Sequence, residues 1–185
     1  DKQTILFVGR EFKRKGGPLI LEAFRKTKRR LPNARLLIVG CNPEVNEEGV
    51  EVLGLIPKDA PGGIQRLIKL YSEASIFCIM SKYEPFGIVV LEAQHAGVPC
   101  VLPNRFAFPE MIKDNVTGLL VKNYDSDELS AAFYALLSDP DKLNIMGKEA
   151  REYVTEHYTW QHTANRIFAI IKMDLYGPKK QLEKS

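Results

Sequence analysis

Six short runs rich in Val, Ile and Leu recur along the chain: Thr4–Val8, Arg35–Val39, Val50–Leu53, Ile76–Ile79, Cys100–Leu102 and Leu119–Val121. Apolar residues in them occupy successive positions rather than alternate ones. Strands of that kind must be covered on both faces, which points to a parallel sheet between two layers of helices. Helical spacing fills most of the gaps. From Pro18 to Leu31 the positions Ile20, Ala23, Phe24, Thr27 and Leu31 fall on one stripe, with Pro18 in the first turn and Pro32 beyond the end. Gly63–Ala74 repeats the pattern, and Phe86–Ala96 is a third helix stopped by Gly97 and Pro99. Alternating strand and helix predicts an α/β fold, a doubly wound, Rossmann-like parallel sheet of about six strands with right-handed crossovers. The last third differs. Ser126–Leu137, Asp141–His157 and Gln161–Leu175 read as extra C-terminal helices, with Ser126 and Asp139 as N-caps.

No linker divides the 185 residues, so the reading is one domain over 1–176 and a polar, basic, flexible tail over 177–185. A chain of this size buries about 70% of its unfolded surface and needs neither disulfide nor metal to fold. No apolar run reaches the roughly 18–20 residues of a membrane span. Three cysteines, Cys41, Cys78 and Cys100, show no C-x-x-C spacing, and the latter two lie inside apolar runs. They read as small hydrophobes in a reduced, cytoplasmic protein without structural zinc. Twenty-six basic against 23 acidic side chains leave a formal charge of +3, too small a bias to argue for nucleic acid. It is compatible with peripheral association at an anionic membrane face. No initiator Met is present, and Asp1 leads almost directly into the first apolar run. The expectation is a fragment of a longer protein.

In such a sheet, ligands sit outside the carboxyl ends of the strands, so the loops there carry the chemistry. The first is Gly9-Arg10-Glu11-Phe12-Lys13-Arg14-Lys15-Gly16-Gly17. Its glycines permit close backbone approach; Arg10 offers a bidentate fork to a phosphate and Lys15 a point charge beside it. It is neither a G-x-G-x-x-G fingerprint nor a Walker loop, and alone it reads equally well as a solvated turn. The loop after the fourth strand places Glu84 before a helix and Glu92 about one and a half turns inside it. From Gly87 to Glu92 the helix rises roughly 7–9 Å. Two carboxylates so spaced suit the two polar ends of one extended ligand, with the helix amides near Phe86 and Gly87 meeting an anion between them. A nucleotide sugar has that layout: hexose hydroxyls, diphosphate, ribose hydroxyls. A dipole-complementing Glu followed by an ordinary helical Glu is the plainer alternative, and the residues alone leave both open.

Together these segments carry a resemblance. Glu84 and Glu92 form an E-x7-E motif written EPFGIVVLE, and VGR…KGG stands at the start. Leu36–Gly40, Val52-Leu53-Gly54, Ala96-Gly97-Val98-Pro99, Thr117–Val121 and the closing Tyr158-Thr159-Trp160 follow in order. The chain resembles, over nearly its whole length, the C-terminal, donor-binding domain of a retaining GT-B glycosyltransferase of family four. The resemblance implies a donor domain that binds a nucleoside-diphosphate sugar, UDP or GDP linked, for transfer of a hexose to an acceptor hydroxyl. It implies that Arg10 and Lys15 grip the diphosphate, Glu84 contacts the sugar near the reacting centre, Phe86 and Gly87 meet the sugar hydroxyls through their backbone, and Glu92 bonds the ribose. Glu84, Arg10 and Lys15 are then the catalytic set. Leu55–Pro57 becomes the base pocket, and no metal or other cofactor is expected. It further implies an N-terminal acceptor domain absent from this chain, a carbohydrate or lipid-linked acceptor, and an isolated fragment without transfer activity.

One segment departs from the family pattern. Before Glu110, where the family often carries paired glycines beside the diphosphate, this chain has Asn104-Arg105-Phe106-Ala107-Phe108-Pro109. Either the loop is built differently or Arg105 adds a charge contact there. The alternatives on the same architecture are a sugar-nucleotide epimerase or a phosphorylase-like enzyme. From another class, the alternative is a non-catalytic interaction module. Of the remaining residues, His95 reads as a partly buried helix residue and Trp160 as a packing anchor. His157 and His162 lack the helical spacing of a metal site.

Overall fold

The computed structural model describes residues 3–176, so the tail expected over 177–185 lies outside the described residues. Six strands form one parallel sheet: β1 (Thr4–Val8), β2 (Arg35–Val39), β3 (Val50–Gly54), β4 (Ile76–Cys78), β5 (Cys100–Pro103) and β6 (Gly118–Val121). Their order across the sheet is β3-β2-β1-β4-β5-β6, with Leu6 beside Leu37 on one side and Phe77 on the other. This is the doubly wound arrangement predicted from the apolar runs. The order reverses between β1 and β4, and a crevice opens at that switch point because the crossovers leave in opposite directions.

Helices α1 (Gly17–Arg30), α2 (Gly63–Glu73) and α3 (Ile88–His95) follow β1, β3 and β4, and the short α4 (Phe108–Met111) follows β5. The chain closes with α5 (Ser126–Leu137), α6 (Pro140–His157) and α7 (Trp160–Tyr176). Helix α4 was not expected: four residues are too few to display a period. Helix α3 starts two residues later than predicted, because Gly87 sits at φ 95° as its N-cap and cannot itself continue the turn. Phe7, Phe24, Phe77, Phe108 and Phe133 are fully buried between the sheet and its helices. Cys78 and Cys100 are buried free thiols whose pKa values burial pushes up, in keeping with their reading as hydrophobes.

Helix α5 lies against α1, and this contact corrects one cap. The N-cap is Asp125, whose carboxylate accepts from the amides of Asp127 and Glu128, both at 2.9 Å. Ser126 is instead turned into the interface, where its hydroxyl donates to Glu22 at 2.8 Å and accepts from Lys26 at 2.7 Å. Asp139 caps α6 as expected, accepting from the Lys142 amide.

Two further side chains sit differently from expectation. Trp160 opens α7 and is 90% exposed rather than packed, because α7 rests little of its apolar surface on the rest of the chain: Ile167, Phe168 and Ile170 are exposed with it. His95 is exposed too, at the last turn of α3, where its carbonyl accepts from Arg151 at 3.0 Å.

Candidate functional site

The loops leaving β1 and β4 begin side by side at the switch point, and backbone bonds stitch them together. The Met80 amide donates to the Lys15 carbonyl at 3.0 Å, and the Lys82 amide donates to the Arg14 carbonyl at 2.9 Å. Arg14 then donates from Nη1 to the Tyr83 carbonyl at 2.7 Å. So close an approach requires glycine at position 16, which adopts φ 79° directly against the carbonyl of Met80, where a Cβ would overlap it.

The stitched loops bring Lys15 and Glu84 into a direct ion pair, although 69 residues separate them. Only 11% of the Lys15 side chain and 10% of the Glu84 side chain reach solvent, so the pair is poorly screened. The Ser81 hydroxyl donates to the same carboxylate oxygen at 3.3 Å. Beside them, Gly87 leads into α3, and the amides of Ile88 and Val89 open that helix with no carbonyl of an earlier turn to bond. Cations and helix-opening amides therefore border one small region at the carboxyl edge of the sheet. Phe86 lies in the loop, 44% exposed, and not in the helix.

Glu92 faces different partners. Lys58, from the loop after β3, donates to Oε1 at 2.5 Å, and Tyr71, from α2, donates to Oε2 at 2.9 Å. Burial first, and then the charge of Glu92, raise the pKa of Tyr71, so the phenol keeps its proton and acts as a donor. Sequence reading missed both. Lys58 adjoins the segment proposed as a base pocket and Tyr71 lies on the apolar stripe of its helix, but no local signal marks either as a carboxylate partner. In the segment 55–57 itself, Leu55 and Pro57 are exposed and Ile56 is buried.

Arg10 stands apart from the Lys15–Glu84 pair. It is exposed and makes no hydrogen bond or ion pair among the described residues; it lines a cleft of about 540 Å³ with Phe12, Lys13, Cys41 and Asn42. The cleft opens between the loops after β1 and β2. Thus Lys15, Glu84 and Gly87 are brought together, Glu92 sits one helical stretch away with its own cation, and Arg10 stands at the rim.

The segment before Glu110 keeps a backbone conformation that glycine favours while carrying a large side chain. Phe106 adopts φ 59°, and its ring meets the Tyr83 ring edge-on at 6.0 Å, directly beside Glu84 in sequence. Arg105 lies over the Tyr124 ring at 5.3 Å, and the Tyr124 hydroxyl donates to the Met80 carbonyl at 2.8 Å. Tyr153 and Tyr158 both donate to the Glu110 carbonyl, at 3.0 and 2.7 Å, which fixes the end of α4. Burial is the main cause that pushes the Tyr158 phenol up to about 12. Among the described residues, no three His, Cys, Asp or Glu side chains gather as metal ligands would.

A model of the family described as glycosyl transferases group 1 matches residues 1–153. The chain belongs to that family. An uncharacterised glycosyltransferase of Methanocaldococcus jannaschii is 33% identical over 96% of this chain and 47% of its own length. A D-inositol 3-phosphate glycosyltransferase of Segniliparus rotundus is 30% identical over 96% of this chain and 41% of its own length. Among solved structures, the sucrose-phosphate synthase of Thermosynechococcus elongatus superposes with a TM-score of 0.75 at 26% identity, covering 96% of this chain and 47% of that one. This group 1 transferase chain thus spans less than half the length of these relatives. No helix among its described residues is long and apolar enough to cross a membrane.

Proposed function

We infer that this group 1 chain is the donor-binding part of a transferase that moves a hexose from a nucleoside-diphosphate sugar to an acceptor hydroxyl with retention of configuration. The buried Lys15–Glu84 pair at the switch point carries the reading. A buried cation paired with an acid, next to helix-opening amides, suits a ligand that brings both phosphates and hydroxyls. In this reading Lys15, with Arg10 swinging in from the rim, meets the diphosphate. Glu84 and the backbone at Phe86 and Gly87 meet the sugar, and Glu92 meets the ribose. As the bond from sugar to diphosphate breaks, negative charge grows on the leaving oxygen. Fixed cations and amides stabilise it at about 3 kcal/mol per well-placed donor. No metal is required where cations take that part. The other half of a relative-sized protein would supply the acceptor site, carbohydrate or lipid-linked, and exclude water. Such an enzyme would work in the cytoplasm, and the acceptor would decide whether it works at a membrane face.

The reading is tested by calorimetry of the chain with UDP, GDP and ADP. One of them binds, and Glu92→Ala weakens it by roughly 1–3 kcal/mol, the usual worth of a charged hydrogen bond. Silence from all three would leave an interaction module as the better account, and product analysis of the full-length protein separates transfer from epimerisation or phosphorolysis. A second expectation concerns sign. Glu84→Gln removes a negative charge beside the phosphate region, so affinity for the bare nucleoside diphosphate does not fall. Sugar transfer by the full-length protein falls. Weaker diphosphate binding by this variant would argue against Lys15 as the phosphate contact.

A further inference from the structure

We propose that Tyr71 is a positioning residue that aims the Glu92 carboxylate, and that this arrangement lets the site select a ribose over a sugar lacking its hydroxyls. The proposal rests on the reading of Glu92 given above. Tyr71 is 5% exposed, and its ring packs on Phe77 at 6.2 Å. The hydroxyl is therefore fixed in place before any ligand arrives, and it holds Oε2 of Glu92 at 2.9 Å. Lys58 takes Oε1 from a loop, but its side chain is 63% exposed, so it neutralises charge more than it fixes direction. An ionised carboxylate accepts about four hydrogen bonds. Two are used here, which leaves acceptor positions for the two adjacent hydroxyls of a ribose. A carboxylate tethered on its buried side cannot rotate those positions away, so the hydroxyls meet preformed acceptors. The raised pKa of the phenol agrees, since the group stays a donor across the working range.

Tyr71→Phe tests this, because it removes one oxygen and keeps the ring against Phe77. Dissociation constants are measured by calorimetry for the nucleoside diphosphate that the chain binds and for its 2′,3′-dideoxy form. The unaltered chain prefers the ribose form about tenfold, the effect of one good charge-assisted hydrogen bond. Tyr71→Phe reduces that ratio to about twofold by weakening the ribose form, with the dideoxy form unchanged. Glu92→Asp, which draws the carboxylate back from Tyr71 but keeps its charge, reduces the ratio equally and serves if the first variant is poorly folded. Lys58→Ala changes the ratio less than about twofold. An undiminished ratio in Tyr71→Phe or in Glu92→Asp, with Glu92→Ala losing it, overturns the role of Tyr71 and leaves Glu92 as the ribose contact. A ratio near one in the unaltered chain, or one unmoved by Glu92→Ala, overturns the reading of Glu92 itself.

Discussion

Replacing Lys15 by alanine is expected to cost the chain about 3 kcal/mol of stability and about 10–100-fold in affinity for a nucleoside diphosphate. The two losses have separate origins. The first arises because Glu84 is buried: without Lys15 the Ser81 hydroxyl remains as its hydrogen-bond donor, and Arg14 is felt only through its charge. A buried carboxylate stripped of its cation loses its compensation for desolvation, whereas a pair removed together does not. The double variant Lys15→Met, Glu84→Gln therefore recovers most of the stability but little of the lost affinity. Urea denaturation and calorimetry on the unaltered chain, Lys15→Ala, Lys15→Met, Glu84→Gln and the double variant read both quantities. A double variant as unstable as the alanine variant would mean that Lys15 matters for its packing alone, and recovered binding would remove it from the phosphate site.

Gly16→Ala is expected to cost about 4 kcal/mol, a large part of the roughly 5–15 kcal/mol that keeps a domain folded. Two terms add. A non-glycine residue in the left-handed region costs roughly 1–2 kcal/mol wherever it sits. Here the new methyl also meets the Met80 carbonyl, so the loop must lift away from β4 and break the bond between the Met80 amide and Lys15. Gly62 provides the control. It has nearly the same backbone conformation, φ 76°, but open space where a Cβ would stand. Gly62→Ala should show the backbone term alone, about 1–2 kcal/mol. Equal shifts in the urea midpoints of the two variants would mean that the approach of the two loops is not tightly held.

These two predictions depend on contacts between segments far apart in the chain, and that is where sequence reading gave out. Thr4–Val8 and Arg35–Val39 match their strands at both ends, because a strand buried on both faces must be apolar at every position and nothing else produces that pattern at such short length. Ends set by local sterics were legible less often. The start of α3 moved by two residues because Gly87 takes a left-handed conformation. The cap of α5 moved by one because Ser126 is drawn into the packing against α1. Asp and Ser cap helices about equally well, and only the neighbouring helix decides for Asp125 over Ser126.

The candidate site divides in the same way. Which residue types could serve was visible: a basic glycine loop after the first strand, and two acids spaced across the start of a helix after the fourth. Their partners were not. Lys15 looked like a free cation waiting for phosphate, and the fold gives it to Glu84; Tyr71 looked like core, and the fold sets its hydroxyl under Glu92. Phe106 gave no sign that it would hold φ 59° against Tyr83, since backbone conformation in a loop depends on what both ends are tied to. The amino-acid sequence by itself determined the strands, the layering and the loops in which charge would gather, because burial and periodicity act between near neighbours. The tertiary structure alone decided which charges meet, because the crossovers at the switch point set residues 69 positions apart within reach of one another. No local pattern encodes that distance.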